Sequence, residues 1–266
     1  MPVVRNEAPW GFPIEIESDK RIEILIDKFD FSRVPDNTIR IVVMDEPICC
    51  IYDDVRDHPE CYTYVFTFLQ DVLNINPKAV FFRGIYAWVT YDKPYEKKFA
   101  VSTVVGAKNN LVFEGYTKRH ELWRRREEIA IPKDFYLSHT YRPTGVDISH
   151  ELILGDERYS KNDMFDCMFH VCIENTSIPN YFSEKILDCF LTRTIPVYIG
   201  CPNIDRYFNA NGICIADTVD EVIKWCNQST PNSYFAYTIA IEENFQRALQ
   251  YVNWENLLKE TILKLL

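Results

Sequence analysis

The stretch Val171–Asn203, VCIENTSIPNYFSEKILDCFLTRTIPVYIGCPN, decides the architecture. With the residues just before it, the apolar run Met168–Ile173 reads as a strand. Ser183–Thr192 reads as a helix whose apolar face is Ile186, Leu187, Phe190 and Leu191, and Ile195–Ile199 as a second strand. A strand–helix–strand unit of this kind runs its two strands parallel. It presents the loop after the first strand at the carboxyl edge of the sheet, where open α/β sheets bind ligands. That loop and the helix start carry Glu174, Asn175, Asn180, Tyr181, Ser183, Glu184 and Lys185.

Toward the N-terminus, Ile39–Met44 is a β-branched run that reads as a buried strand and stops at Asp45-Glu46-Pro47. Ile22–Phe29 (IEILIDKF) and Tyr64–Leu73 read as helices. Ala79–Phe82, Tyr86–Thr90, Phe99–Val105 and Phe135–Leu137 read as strands, and Glu114–Ile129 as a charged helix. Residues 92–98 make a polar linker and 142–163 a loop-rich stretch. Ile213–Ala216 reads as one more strand. Residues 239–266 are largely helical, with Ile241, Phe245, Leu249, Val252, Leu257 and Leu258 near helical spacing. Strands alternating with helices predict an α/β protein with parallel sheets. The expected organisation is an N-terminal half over 1–95, a C-terminal half over 96–240, and a helical segment over 241–266 that packs back toward the N-terminal half.

The chain has 266 residues, 47% of them hydrophobic and 26% charged, a globular composition with enough length to bury a core. Its 29 basic and 39 acidic residues leave a formal charge of −10, which argues against a nucleic-acid binder and against docking on an anionic membrane. Aromatic residues are abundant; most belong to the core, although aromatic clefts suit sugars and nucleobases. Only 8 glycines are present, and no G-x-G-x-x-G, Walker loop, G-x-S-x-G or H-E-x-x-H occurs. Nine scattered cysteines without a C-x-x-C point to a reducing compartment rather than a disulfide framework. Cys167, His170 and Cys172 lack an apparent fourth ligand, so they read as a buried strand rather than a zinc site. The opening Met1–Glu7 has no apolar stretch after Arg5, and no run reaches 18 apolar residues. A soluble, cytoplasmic chain with no membrane span is the expectation.

Lys185 stands in a helix's first turn, where the helix dipole favours anions. Two readings of it remain. Either it faces solvent and pairs with Glu184 or Asp188, or it joins the helix's unpaired N–H groups in binding an anion such as a diphosphate. A second cationic element, Lys118-Arg119-His120 with Arg124-Arg125-Arg126, lies in the helix Glu114–Ile129. Here too there is a plain alternative, a solvated face paired with Glu121, Glu127 and Glu128. A nucleic-acid patch is a further and poorer one.

Glu174-Asn175, Tyr181-Phe182-Ser183-Glu184-Lys185, Ile195-Pro196-Val197 and Gly200 resemble, in order and spacing, the donor-site signature of the α1,3/4-fucosyltransferase family. Ser183 stands where that family usually carries Thr, and the resemblance extends loosely over residues 40–250. It implies two Rossmann-like domains facing a cleft, the GT-B arrangement, with the acceptor side in the N-terminal domain and the nucleotide-sugar donor held by the C-terminal one. It implies that Glu174 and Glu184 meet sugar or ribose hydroxyls. Asn175, Tyr181, Ser183 and Lys185 would hold diphosphate and sugar, and Arg119, after the turn Ala107-Lys108-Asn109-Asn110, would bind phosphate, with Arg126 as the second choice.

The implied reaction is an inverting transfer with no essential metal or cofactor, a reading with which the lack of a D-x-D triplet agrees. It needs a general base for the acceptor hydroxyl. The acidic pair ending strand Ile39–Met44 supplies Glu46 as first choice and Asp45 as second, with surface acids or helix capping as the plain alternative. Tyr91-Asp92 ends another strand. GDP-fucose is the first expected donor and a UDP-sugar such as UDP-xylose the second; an oligosaccharide or other glycan is the acceptor. A non-catalytic nucleotide-sugar or glycan binding module is the rival from another class.

Overall fold

The computed structural model describes residues 3–7, 13–47, 50–91, 95–108, 112–141, 151–154 and 160–266. The chain gathers into two compact units. Residues 1–85, 179–181 and 253–266 make the first, and residues 86–178 and 182–252 the second.

In the first unit, β1 (Val3–Glu7) pairs antiparallel with β2 (Pro13–Glu17). A separate parallel sheet runs β3 (Arg21–Ile26), β4 (Thr38–Met44), β5 (Tyr64–Thr67), β6 (Ala79–Phe81). Two short helices, α1 (Tyr52–Asp57) and α2 (Gln70–Ile75), follow β4 and β5. The helix expected over Ile22–Phe29 is strand β3. Its apolar residues fit both periods over so short a run, and pairing with β4 along its whole length buries Ile22, Ile24 and Ile26 on one face. The helix expected over Tyr64–Leu73 divides in two. Its β-branched and aromatic Tyr-Val-Phe-Thr start enters the sheet between β4 and β6, and only Gln70 onward is helical.

In the second unit, β7 (Lys98–Val105) leads to α3 (Glu114–Arg124), β8 (Lys133–Ser138) and β9 (Leu152–Leu154). Then come β10 (Cys167–Ile173), α4 (Glu184–Leu191), β11 (Ile195–Ile199) and β12 (Cys214–Ile215). Helices α5 (Val219–Gln228), α6 (Pro231–Ala236) and α7 (Thr238–Ala248) complete it. The sheet is parallel throughout, ordered β12-β11-β10-β7-β8-β9. Every residue of β10 and β11 is buried, which is why both read as continuous apolar runs rather than alternating ones.

From β7 the chain builds outward through β8 and β9, then returns to place β10 on the other side of β7. That reversal makes the carboxyl ends of β7 and β10 the point where such sheets bind ligands. The strand expected over Tyr86–Thr90 is absent from those residues. Their backbone donors go to side chains instead: Trp88 N–H to Asp188 Oδ1 and Thr90 N–H to Asn162 Oδ1, both at 2.9 Å. The loop-rich stretch contains β9, and the rest of 142–159 lies outside the described residues apart from Glu151. The helical end of the chain is shared out. Helix α7 packs on α4, while α8 (Trp254–Leu263) packs on β2 and seats Trp254 edge-on against Phe82.

Among the described residues no helix is long and apolar enough to cross a membrane, and no group of three His, Cys, Asp or Glu is placed to hold a metal ion. Cys167, His170 and Cys172 all lie buried in β10.

Candidate functional site

Where β7 and β10 end, the second unit opens a cavity of about 570 Å³, a common size for a small-molecule site. Arg119, Asn175, Glu184 and Lys185 line it. Three of these come from the span that follows β10, and the fourth from α3.

Glu174 is the support beneath them. It leaves β10 fully buried, and its two carboxylate oxygens accept the Ser183 N–H at 2.9 Å and the Ser183 hydroxyl at 2.6 Å. Ser183 is the N-cap of α4, its hydroxyl accepting from the Lys185 N–H. The carboxylate that sequence reasoning assigns to ligand hydroxyls therefore spends both oxygens fixing the start of the helix. Gly200, the residue after β11, packs on the same side chain, where a Cβ would stand 2.6 Å from Glu174 Cγ.

Lys185 donates to Glu184 Oε1 at 2.9 Å and to Ser183 Oγ at 3.1 Å, with Glu174 Oε2 at 3.8 Å. Burial works against its charge, but the two carboxylates outweigh burial and hold its pKa above the usual lysine value. Glu184 gains in the same way. Burial opposes its ionisation, and the Lys185 and Lys161 ammoniums overcome that and bring it down to about 2. These charges answer the conflict between Lys185 and the helix dipole: an anionic pair offsets the cation at the N-terminus.

Arg119 clamps the turn from the other side. Its Nε donates to the Ile173 carbonyl at 2.8 Å, and its Nη2 to the same carbonyl and to Asn175 Oδ1 at 2.9 Å. Nη1 has no partner among the described residues. One turn earlier in α3, the Gly115 N–H donates to the Asn175 carbonyl at 3.0 Å. Six of the sequence-derived residues thus come together here: Arg119, Glu174, Asn175, Ser183, Glu184 and Lys185. The other arginines behave as a solvated face. Arg125 pairs with Glu121 and Glu128, and Arg126 lies over the Trp123 ring and pairs with Glu151. Asn109, Asn110 and Asp92 fall outside the described residues.

Tyr181 belongs to the first unit. Its buried ring lies 5.6 Å from Phe68, and the Arg83 guanidinium stands over both rings. Asn180, at φ 66°, donates to the Phe68 carbonyl and to Gln70. Arg83 reaches on to Asp45, donating to Oδ1 at 2.8 Å. Asp45 and Glu46 follow β4 at the carboxyl edge of the first sheet, Asp45 half-buried and Glu46 exposed.

Sequence reasoning missed three residues that line the same cavity, Trp88, Lys161 and Asp188. Asp188 had a signal, as an acid within the apolar stretch Ile186–Leu191. Trp88 was hidden in a presumed strand and Lys161 in a presumed loop. Burial pushes the Asp188 carboxyl up to about 6, although Lys161 and the Trp88 N–H lower it. A carboxyl held above its unfolded value of 3.8 binds its proton more tightly in the folded chain. Its contribution to stability is complete below about pH 4 and is lost as pH rises through 6. Urea unfolding of wild type and Asp188→Asn should therefore show a stability difference that moves against wild type by about 2 kcal/mol between pH 4 and pH 7. A difference independent of pH would refute this origin.

No family model matches the chain. Over 57 residues it is 39% identical to the alpha-(1,3)-fucosyltransferase FucT of Helicobacter pylori, a match covering 21% of this chain and 12% of that relative. A crystal structure of an alpha1,3-fucosyltransferase is similar over 93% of this chain and 78% of that one, with a TM-score of 0.53 at 16% identity. The structure of TarM is similar over 92% of this chain and 55% of its own, with a TM-score of 0.59 at 11% identity. Other solved structures of similar fold contain GDP-fucose in one case and UDP with GlcNAc in another. The chain has the GT-B glycosyltransferase fold and resembles the α1,3-fucosyltransferases.

Proposed function

We propose that the chain is an inverting glycosyltransferase that moves a sugar from a nucleotide diphosphate donor, GDP-fucose in the first instance, to a hydroxyl of a glycan. The observation that carries the reading is the cavity lined by Lys185 and by Arg119, whose Nη1 has no partner among the described residues, beside a turn locked by Glu174 and Ser183. Two cations meeting at one turn suit the diphosphate, whose negative charge grows as the sugar leaves. Glu184 offers an acceptor for a neighbouring hydroxyl.

In the transfer, the acceptor oxygen attacks the anomeric carbon from the face opposite the diphosphate. The new carbon–oxygen bond forms as the bond to phosphate oxygen breaks. The acceptor proton passes to a carboxylate base, and the electron pair leaves with the nucleoside diphosphate. For the base we take Glu46. Asp45, whose Oδ1 accepts from Arg83 Nη1 at 2.8 Å, is second. The cationic side chains take up the leaving-group charge, and no metal or cofactor is assigned a part. A UDP-sugar such as UDP-xylose is the second donor reading, favoured by the similar fold of a UDP-bound structure.

The test is a titration of the chain with GDP, UDP and their sugar conjugates, followed by turnover with the donor that binds. Glu46→Gln should keep donor affinity within about twofold and lower kcat by about 10²–10⁴. Full turnover in Glu46→Gln would remove it as the base. Donor binding with no turnover in wild type across a broad glycan panel would favour a binding module instead.

A further inference from the structure

We propose that the exposed indole of Trp88 is a stacking platform for a pyranose ring of the acceptor glycan, an inference that rests on the glycosyltransferase reading above. Trp88 is 65% exposed, and of the large apolar side chains that stand open among the described residues it alone lines the cavity. It belongs to the second unit, as do Arg119 and Lys185. The unit that holds the donor diphosphate therefore takes a share in holding the acceptor as well.

The platform is fixed before any ligand arrives. The Trp88 N–H donates to Oδ1 of Asp188, a fully buried residue of α4, at 2.9 Å. Two residues on, the Thr90 N–H donates to Asn162 Oδ1 at 2.9 Å, and Val89 between them is buried. The backbone that carries the indole is thus tied down on both sides. Lys161 Nζ lies 4.5 Å from the ring centre and 2.7 Å from Asp188 Oδ2, so an anchored ammonium rests on one face of the ring. The rest of the indole stands open beside the cavity. An aromatic wall with a few placed polar groups is the usual make-up of a small-molecule site.

The polar groups at the ring identify what stacks there. Lys161 Nζ can only donate, and so can the indole Nε1–H, which has no partner among the described residues. Asp188 adds no acceptor, because its two oxygens face the Trp88 N–H and Lys161 Nζ. The groups around the platform are therefore donors. A nucleobase edge carries N–H groups in fixed directions, and donors leave those groups without an acceptor. A pyranose suits the platform on both counts. Its axial C–H bonds make an apolar face that lies flat on an indole. Each hydroxyl at its rim offers lone pairs to a donor while its own proton rotates toward water.

Saturation-transfer NMR of the full chain with methyl β-D-galactopyranoside and with methyl N-acetyl-β-D-glucosaminide tests the assignment, beside calorimetric titration with GDP. At least one glycoside should bind wild type, its axial ring protons receiving the strongest saturation. Trp88→Ala, a change at an exposed side chain, should weaken that glycoside about tenfold, the size of one aromatic contact, and leave GDP within about twofold of wild type. Trp88→Phe keeps a smaller aromatic face and should recover most of the loss. Wild type that binds neither glycoside would overturn the proposal, and so would glycoside binding that Trp88→Ala leaves unchanged. GDP weakened by Trp88→Ala as much as the glycoside would also overturn it, because the ring would then be holding the nucleotide. GDP bound by wild type in any of these cases leaves the donor reading standing. A wild-type chain that binds neither GDP nor a glycoside would overturn both.

Discussion

Lys185→Ala should bind GDP about 100-fold more weakly than wild type. The ammonium stands at the start of α4 with Ser183 and Glu184 fixing its direction. A charge-assisted hydrogen bond to phosphate contributes about 1.5–3 kcal/mol, and every 1.4 kcal/mol is tenfold in affinity. The variant also loses stability. Glu174 and Glu184 both face the ammonium, and without it a buried carboxylate keeps only its Ser183 partners. A cost of about 1–3 kcal/mol follows, a few degrees in Tm for a chain of this size. Lys185→Arg restores the charge with a different shape and should recover stability more fully than affinity. GDP titration beside thermal unfolding separates the two effects. GDP affinity in Lys185→Ala within threefold of wild type would remove Lys185 from the phosphate site.

Gly115→Ala has the largest structural effect expected of any single methyl group here. A Cβ at Gly115 would stand 1.7 Å from the Glu174 carbonyl oxygen and 2.8 Å from that of Asn175. Both obstacles are backbone, so no side chain can turn aside; α3 must move off the turn. That motion breaks the Gly115–Asn175 hydrogen bond and draws Arg119 away from Ile173. Overpacking of this severity costs about 3 kcal/mol or more, and on the proposed donor reading the displaced arginine should lower GDP affinity as well. Gly106→Ala is the matched control. Its Cβ would meet only Ser138 Oγ at 3.8 Å, an ordinary contact, so it should unfold at nearly the wild-type urea concentration. Equal stability of the two variants would show that α3 does not bear on the turn as described.

The span from β10 to β11 was legible in the sequence because its signals agree. Strands buried on both faces appear as unbroken apolar runs, and α4 carries a capping serine with an apolar face behind it. The same span yielded five of the six side chains that meet at the turn after β10, the sixth being Arg119 of α3. The N-terminal sheet was harder to read. IEILI satisfies a helical and a strand period over five residues, and only its pairing with β4 decides between them. Glu174 was legible as a candidate residue, but not in the hydrogen bonds it makes. Spacing puts a carboxylate at the end of a strand, whereas its two hydrogen bonds to Ser183 depend on how the following loop returns. Trp88 and Lys161 were illegible because each meets Asp188 across some thirty to a hundred positions of chain, a pairing that no local pattern records.

Arg119 holds the turn by a backbone carbonyl, not by the side chain of Ile173. Every amino acid brings that same oxygen, so the grip survives replacement of Ile173 by another strand-forming residue, whereas no substitution of Arg119 itself leaves it intact. Mutational robustness across this contact is therefore one-sided. Drift can repack the end of β10 without disturbing the cation beside the cavity, and selection for that cation falls on a single codon in α3.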